Sequence, residues 1–234
     1  MRYCVDLRIE SYKTSHFMKI LAISNLKGGV GKSTIAQNIA AQFAQNGVKV
    51  CIADTDTEQK TSVKWSSLRD SSLVSIPVFS IAPERVSQEI LGLKQKYDLV
   101  IVDGTPALTE LTTRIIILSD LVLVPILPGG GDIWALENFL ERYQEAKMTK
   151  ESYGGKVDIA VVVNRYNERT TLDREVVNAI QDFGVTVLAT KLANRVSYRE
   201  ATIQGISVHE TKDEKAKQEI EELTTEIQRI MNNG

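Results

Sequence analysis

The chain has 234 residues, 43% hydrophobic and 25% charged, an ordinary globular balance and enough length for one substantial α/β core. Its formal net charge of -2 excludes a nucleic-acid binder that works by bulk positive charge, so any DNA contact has to come from a local basic patch. The two cysteines, Cys4 and Cys51, lack CxxC or Cys/His spacing, which excludes a disulfide scaffold and a cysteine-ligated metal or iron–sulfur centre and fits a reducing, cytoplasmic setting. No apolar run reaches the roughly 18 residues that span a bilayer.

Residues 1–17 show no clear periodicity and no apolar stretch of a secretory signal. They are expected to be a peripheral N-terminal extension to a single domain, 18–234, with Met18 itself a candidate start. From Met18 the run MKILAIS reads as a buried strand ending at Ser24. A Gly-rich loop follows, then TIAQNIAAQFAQ, a helix with Ile35, Ile39 and Phe43 on one face and Gly47 as its stop. VKVCIA, before Asp54, is a second strand.

Further strands are expected at 97–103, 120–127, 156–164 and 185–190, and helices at 132–146 and 172–184. A final helix of about 20 residues carries Ile220, Leu223, Ile227 and Ile230 on one face. Strands apolar on both faces and alternating with helices predict an α/β fold, a mostly parallel doubly wound sheet flanked by helices. Ligands of such sheets sit at the carboxyl ends of the strands, where every motif in this chain falls.

The first motif, Lys27-Gly28-Gly29-Val30-Gly31-Lys32-Ser33-Thr34, lies between a strand and a helix. Glycines let backbone N–H groups turn inward around phosphate oxygens, and the helix N-terminus adds a favourable dipole. These eight residues predict a P-loop for a nucleotide triphosphate. Lys32 reaches the β- and γ-phosphates, the Ser33 hydroxyl ligates Mg²⁺, and Thr34 sits near the α-phosphate. The ordinary Walker A pattern asks for glycine at position 26, where this chain has Leu26, and Lys27 is an extra lysine. Two acidic motifs stand at strand ends, Asp54-Thr55-Asp56 and Val102-Asp103-Gly104. Carboxylates beside a triphosphate are tolerable only with Mg²⁺ or a positioned water between them.

KGGVGKST resembles the deviant Walker A box of the ParA/MinD family of P-loop ATPases, and the resemblance runs from Met18 to near the C-terminus. It implies binding of ATP with Mg²⁺, and a homodimer in the ATP-bound state whose signature lysine, here Lys27, crosses to the partner's ATP. It also implies that Asp54 supports the metal shell, that Asp56 orients the attacking water, and that Asp103 is the Walker B aspartate holding Mg²⁺ through water. Asn164, with Arg165 beside it, corresponds to a family position that contacts adenine. Two departures stand out: Thr57-Glu58-Gln59 replaces the usual Pro-Gln after the switch aspartates, and the loop from Pro125 to Asp132 carries three glycines in a row.

Three function classes share this machinery. Cargo positioning on the nucleoid, as in small ParA proteins without a helix-turn-helix domain, implies nonspecific DNA binding through Arg195 and Arg199. It also implies an adaptor, ParB-like or cargo-specific, that stimulates hydrolysis; the cargo is a plasmid, a chromosome or a protein assembly such as a carboxysome. MinD-like membrane cycling needs a basic amphipathic C-terminal helix, whereas from Glu210 onward there are seven acidic and four basic residues, which argues for no membrane role. Among metabolic and signalling relatives, a nitrogenase-type iron protein needs absent cysteines and a tyrosine-kinase relative a tyrosine-rich tail. Amide-forming synthetases remain as the alternative enzyme class.

Overall fold

The computed structural model describes residues 18–107 and 109–233, apart from the side chain of Leu172, and the N-terminal extension expected at 1–17 lies outside them. The strands are β1 (Lys19–Ile23), β2 (Val50–Asp54), β3 (Val78–Ser80), β4 (Leu99–Asp103), β5 (Leu121–Ile126), β6 (Asp158–Tyr166) and β7 (Thr186–Ala193). They form one sheet in the order β3-β2-β4-β1-β5-β6-β7, with every pairing parallel. The order reverses around β1, so the crevice that such a sheet opens to ligands lies at the end of β1, where the Gly-rich loop begins.

Each central strand is buried on both faces, and its side chains alternate between two cores. Leu21, Ile23, Ile52, Ile101 and Leu123 pack against α1 (Lys32–Gln45), α2 (Thr61–Leu68), α7 (Val196–Gln204) and α8 (Glu214–Asn233). Ile20, Ala22, Ala53, Val102 and Val124 pack against α3 (Val86–Lys94), α4 (Glu110–Leu118), α5 (Gly130–Ser152) and α6 (Thr171–Gln181). This is the doubly wound arrangement that the apolar runs predict. α1 has the expected Ile35, Ile39 and Phe43 in the core, but Gln37, Asn38 and Gln42 are buried too, so the helix is enclosed rather than half-exposed. Gly47, at φ 82°, ends it as expected.

Several expected boundaries shift: the helix expected at 132–146 runs from Gly130 to Ser152, and the one expected at 172–184 ends at Gln181. β6 runs past Asn164 to Tyr166, through an irregularity where Arg165 adopts a left-handed φ of 55°. β7 extends to Ala193, so Lys191 lies in a strand. The apolar face of α8 is buried through Ala216, Ile220, Leu223, Ile227 and Met231, with the expected Ile230 partly buried against the same core. No described helix is long and apolar enough to cross a membrane.

β7 is an edge strand, and acids of α8 cover part of its edge. Glu226 accepts the Ala189 and Thr190 amides at 2.8 and 2.7 Å, and Glu219 accepts the Ala193 amide at 3.2 Å. On the other flank, Arg69 joins α2 to the segment after α7. It lies over the Trp65 ring, donates to the Gly205 carbonyl at 3.3 Å and forks onto Glu210, with both side chains nearly buried. Removing one member of a buried pair strands the other, so Arg69→Ala should destabilise the fold by about 3–5 kcal/mol. The urea midpoint should fall at unchanged slope; a shift below about 1 kcal/mol would mean the pair is not effectively buried.

A nucleotide-phosphate cradle at the end of the first strand

β1 delivers the chain into the loop 24–31, and buried Asn25 sets the direction of that exit. Its amide donates to the Pro125 carbonyl at 2.7 Å and its oxygen accepts the Lys27 amide at 2.9 Å. Gly29 and Gly31 take left-handed φ values of 74° and 97°. α1 starts directly after Gly31 with no side-chain cap and no acidic residue in its first turn, leaving its N-terminal amides for an anion. The Lys32 ammonium is buried and donates to the Lys27 carbonyl at 2.9 Å. Burial pushes its pKa down, against the pull of Asp103 and Asp56. Residues Lys27 to Thr34 thus form a glycine-containing turn that runs from the exit of β1 into the first turn of α1.

The acidic motifs meet this loop from two neighbouring strands. Asp54 and Asp103 are register partners across β2 and β4, both buried. Burial, then the Asp54 charge, pushes the Asp103 carboxyl up to about 7. Asp103 Oδ2 accepts the buried Ser62 hydroxyl at 2.7 Å, whereas its Oδ1 is buried without a hydrogen-bond partner. A buried carboxylate oxygen left open in this way suits a hydrated divalent cation. Among the described residues no group of three His, Cys, Asp or Glu forms a metal cage, so phosphate and water would supply the remaining ligands.

Asp54 is used differently from a plain ligand. Its Oδ1 accepts the Asp56 amide at 3.1 Å, and its Oδ2 accepts the Ser62 and Val63 amides at 3.0 and 3.1 Å. It thus caps α2 from a distance and fixes the loop between. Asp56 turns that loop by accepting the Glu58 and Gln59 amides through Oδ1 at 3.2 and 2.9 Å, so Thr57-Glu58-Gln59 forms a closed turn without the usual proline. Gly104 leaves β4 where a Cβ would lie 2.9 Å from the Ile23 carbonyl, so only glycine fits there.

Asn164 meets the loop from the other side. Its amide donates to the Val30 carbonyl at 2.7 Å, its oxygen accepts the Arg165 amide at 2.9 Å, and a Cβ on Gly31 would fall 2.3 Å from its Nδ2. In this state Asn164 braces the phosphate loop instead of offering free groups to a base. Beside it a cavity of about 180 Å³ is lined by Thr34, Asn164, Arg165, Asn194, Arg195 and Arg199 among others. Arg165 and Arg199 are exposed. Arg195 is not free: Glu219 accepts from its Nε and Nη2 at 2.8 and 2.7 Å, with Asp213 3.9 Å away. The two arginines expected to act as one patch are therefore in different states.

Sequence reasoning missed Asn25, Ser62 and Asp132. Ser62 also accepts the buried Gln37 amide at 3.3 Å, in a file of polar groups that ends at Thr202 of α7. Asp132, inside the triple-glycine segment that received no site residue, accepts the Lys27 ammonium at 2.7 Å. An acid three places after a Pro-Gly step, at the first turn of a helix, was the available signal.

Because its folded pKa is raised, Asp103 favours the folded state fully below about pH 4 and loses that contribution as pH rises through about 7. Asp103→Asn should therefore stabilise the nucleotide-free protein at pH 8 by more than about 1 kcal/mol and change little at pH 4, read from urea midpoints. Equal midpoints at pH 8 would mean that the charge is already compensated.

Residues 21–208 match the family described as the CobQ/CobB/MinD/ParA nucleotide binding domain. The maintenance of carboxysome distribution protein A of Halothiobacillus neapolitanus is 32% identical over 212 residues, covering 88% of this chain and 95% of that protein. The chromosome partitioning protein ParA of Caulobacter vibrioides is 24% identical over 230 residues, 80% of this chain and 85% of ParA. The septum site-determining protein MinD of Pyrococcus horikoshii, solved with Mg-ADP, shares the fold at a TM-score of 0.66 and 20% identity, covering 89% of this chain and 95% of that one. The phosphate cradle, the sheet order and these matches agree, and the chain belongs to the CobQ/CobB/MinD/ParA family as a ParA/MinD-like P-loop ATPase.

Proposed function

We propose that the chain is a ParA-type positioning ATPase. Two copies close face to face over two molecules of ATP, the dimer holds nonspecific DNA of the nucleoid, and an adaptor protein triggers hydrolysis and release. The cargo that fits best is a large protein assembly of the carboxysome kind, supported by the 32% identity to a carboxysome distribution protein over nearly its whole length. A chromosome or plasmid is the second reading, supported by the ParA likeness at 24%.

The observation that carries the ATPase reading is the division of labour between two lysines. Lys32 is buried in the loop and serves its own phosphates, whereas Lys27 stands on the rim with its side chain 43% exposed, where a second copy can receive it. Mg²⁺, when bound, neutralises charge on the triphosphate. Ser33 and Asp103 are the residues to hold it, Asp54 keeps the intervening loop in place, and Asp56 directs the water that attacks the γ-phosphate. Charge focused by Lys32 and the helix N-terminus stabilises the transferred phosphoryl group.

The amide-forming alternative has a place for its second substrate, a cavity of about 560 Å³ between the loop after β2 and the segment that leads from β4 into α4. Its lining includes Asp56, Glu58, Glu84 and Glu110, which repel a carboxylate acceptor. Membrane cycling is disfavoured by α8, whose apolar face is spent on the core. For DNA, Arg199 is the exposed candidate, and Arg195 joins it only by exchanging Glu219 and Asp213 for phosphate.

Light scattering with saturating Mg-ATP should give a dimer for the native chain and a trapped, longer-lived dimer for Asp56→Ala. Lys27→Ala should lose dimer and turnover while retaining ATP, and Lys32→Ala should lose ATP itself. Full turnover in Lys27→Ala would remove the trans role. Filter binding with ADP, ATP and a non-hydrolysable analogue should show DNA retained only in the triphosphate states. Arg199→Glu should weaken it at every sequence and lower the salt slope by about 1 or more. DNA binding absent in all nucleotide states would sink the positioning reading.

A further inference from the structure

The inner face of α5 is spent on the fold: Leu136, Phe139 and Tyr143 are buried in the core and Ile133 packs against it. Trp134, near the start of the same helix, faces the other way and is 71% exposed. An indole gains more than most side chains from being covered, through its apolar rings and its single N–H donor. Trp134 also stands on the phosphate-bearing rim, because two residues before it Asp132 accepts the Lys27 ammonium.

The same rim carries a cavity of matching character. The space of about 560 Å³ beside Asp56 is walled by Pro83, Pro106, Ala107 and Leu111 and bordered by Glu58 and Glu84. Its volume is of the size that takes small ring compounds; the apolar walls suit the rings, and the carboxylates suit the N–H. Cavity and indole lie on opposite sides of β1: the cavity is built on segments that follow β2, β3 and β4, whereas α5 follows β5. A twofold axis normal to the sheet and passing beside the phosphate loop exchanges these two sides and keeps each helical layer on its own face. It sets the indole of each copy over the cavity of the other.

We propose that Trp134 docks into this cavity on a second copy of the chain, closing the space next to Asp56 with a side chain that the protomer itself does not supply. This rests on the dimer reading given under Proposed function and names a contact that holds the dimer together. The contact is self-complementary, since each copy gives one indole and receives one. Buried tryptophans are among the side chains that dominate interface energy, so the loss of this one should be felt in assembly before it is felt in folding.

Tryptophan emission reads the contact directly, because Trp65, at 1% exposed, has no exposure left to lose. At concentrations where sedimentation shows the Mg-ATP dimer, native emission should move to shorter wavelength and acrylamide quenching should fall severalfold relative to Mg-ADP. In Trp134→Phe both changes should disappear. Trp134→Ala should keep ATP binding and raise the protein concentration at half-dimerisation about tenfold or more. Ala107→Phe, which fills the cavity from its own side, should raise it comparably, and the double variant should dimerise no worse than either single one. An indole that stays open to acrylamide in an assembled dimer overturns the proposal and leaves Trp134 to the adaptor. An unchanged midpoint for Trp134→Ala, or additive effects in the double variant, overturns it as well. A native chain that binds ATP but never dimerises overturns the dimer reading and this contact with it, a result distinct from the others. Should Ala107→Phe fail to fold, the quenching comparison and Trp134→Ala decide.

Discussion

Two carboxylates, Asp54 and Asp103, stand opposite each other at the ends of adjacent parallel strands, buried and of like charge. That arrangement is unfavourable in an empty protein, and the surrounding structure is organised around relieving it. Asp54 is satisfied by three backbone amides, which ties the loop after β2 to the start of α2. Asp103 is only half satisfied, by Ser62, and its other oxygen is buried without a hydrogen-bond partner. Lys32, held on the Lys27 carbonyl, is the positive counterpart of this acidic pair. The site is thus assembled but electrostatically unfinished, a state suited to coupling conformation to nucleotide.

Most of the fold was legible because its cause is local. Strands buried on both faces leave continuous apolar runs, and the β1–loop–α1 transition is written in glycines, with Gly29 and Gly31 at left-handed φ values that other residues rarely adopt. What was not legible depends on contacts across long sequence separations. Ser62 is an unremarkable serine until its hydroxyl is seen on Asp103, 41 residues away, and Asn25 matters because Pro125 lies 100 residues on. The short edge strand β3, three residues long, carries too little periodicity to be read at all.

The arginine and asparagine assignments show where residue type misleads. Arg195 has the right chemistry for a phosphate, but the same chemistry suits Glu219, which the returning helix α8 places against it. Asn164 can hydrogen-bond a base, yet in this state it supports the Val30 carbonyl and leans on a glycine with no side chain to obstruct it. In both cases the sequence position was informative about neighbourhood and silent about which neighbour is engaged. The cavity that these residues share with Thr34 joins the phosphate loop to the first turn of α7. A nucleotide seated there is next to the residues that any DNA contact through this segment would use.

The acids of α8 along β7 carry a consequence for assembly. Glu226 and Glu219 occupy amides that an incoming strand would need, and at the opposite border β3 offers only three residues. A sheet closed at one margin and foreshortened at the other is a poor template for edge-to-edge stacking of copies. Larger structures built from this protein must then be joined through helices or across the phosphate-bearing rim.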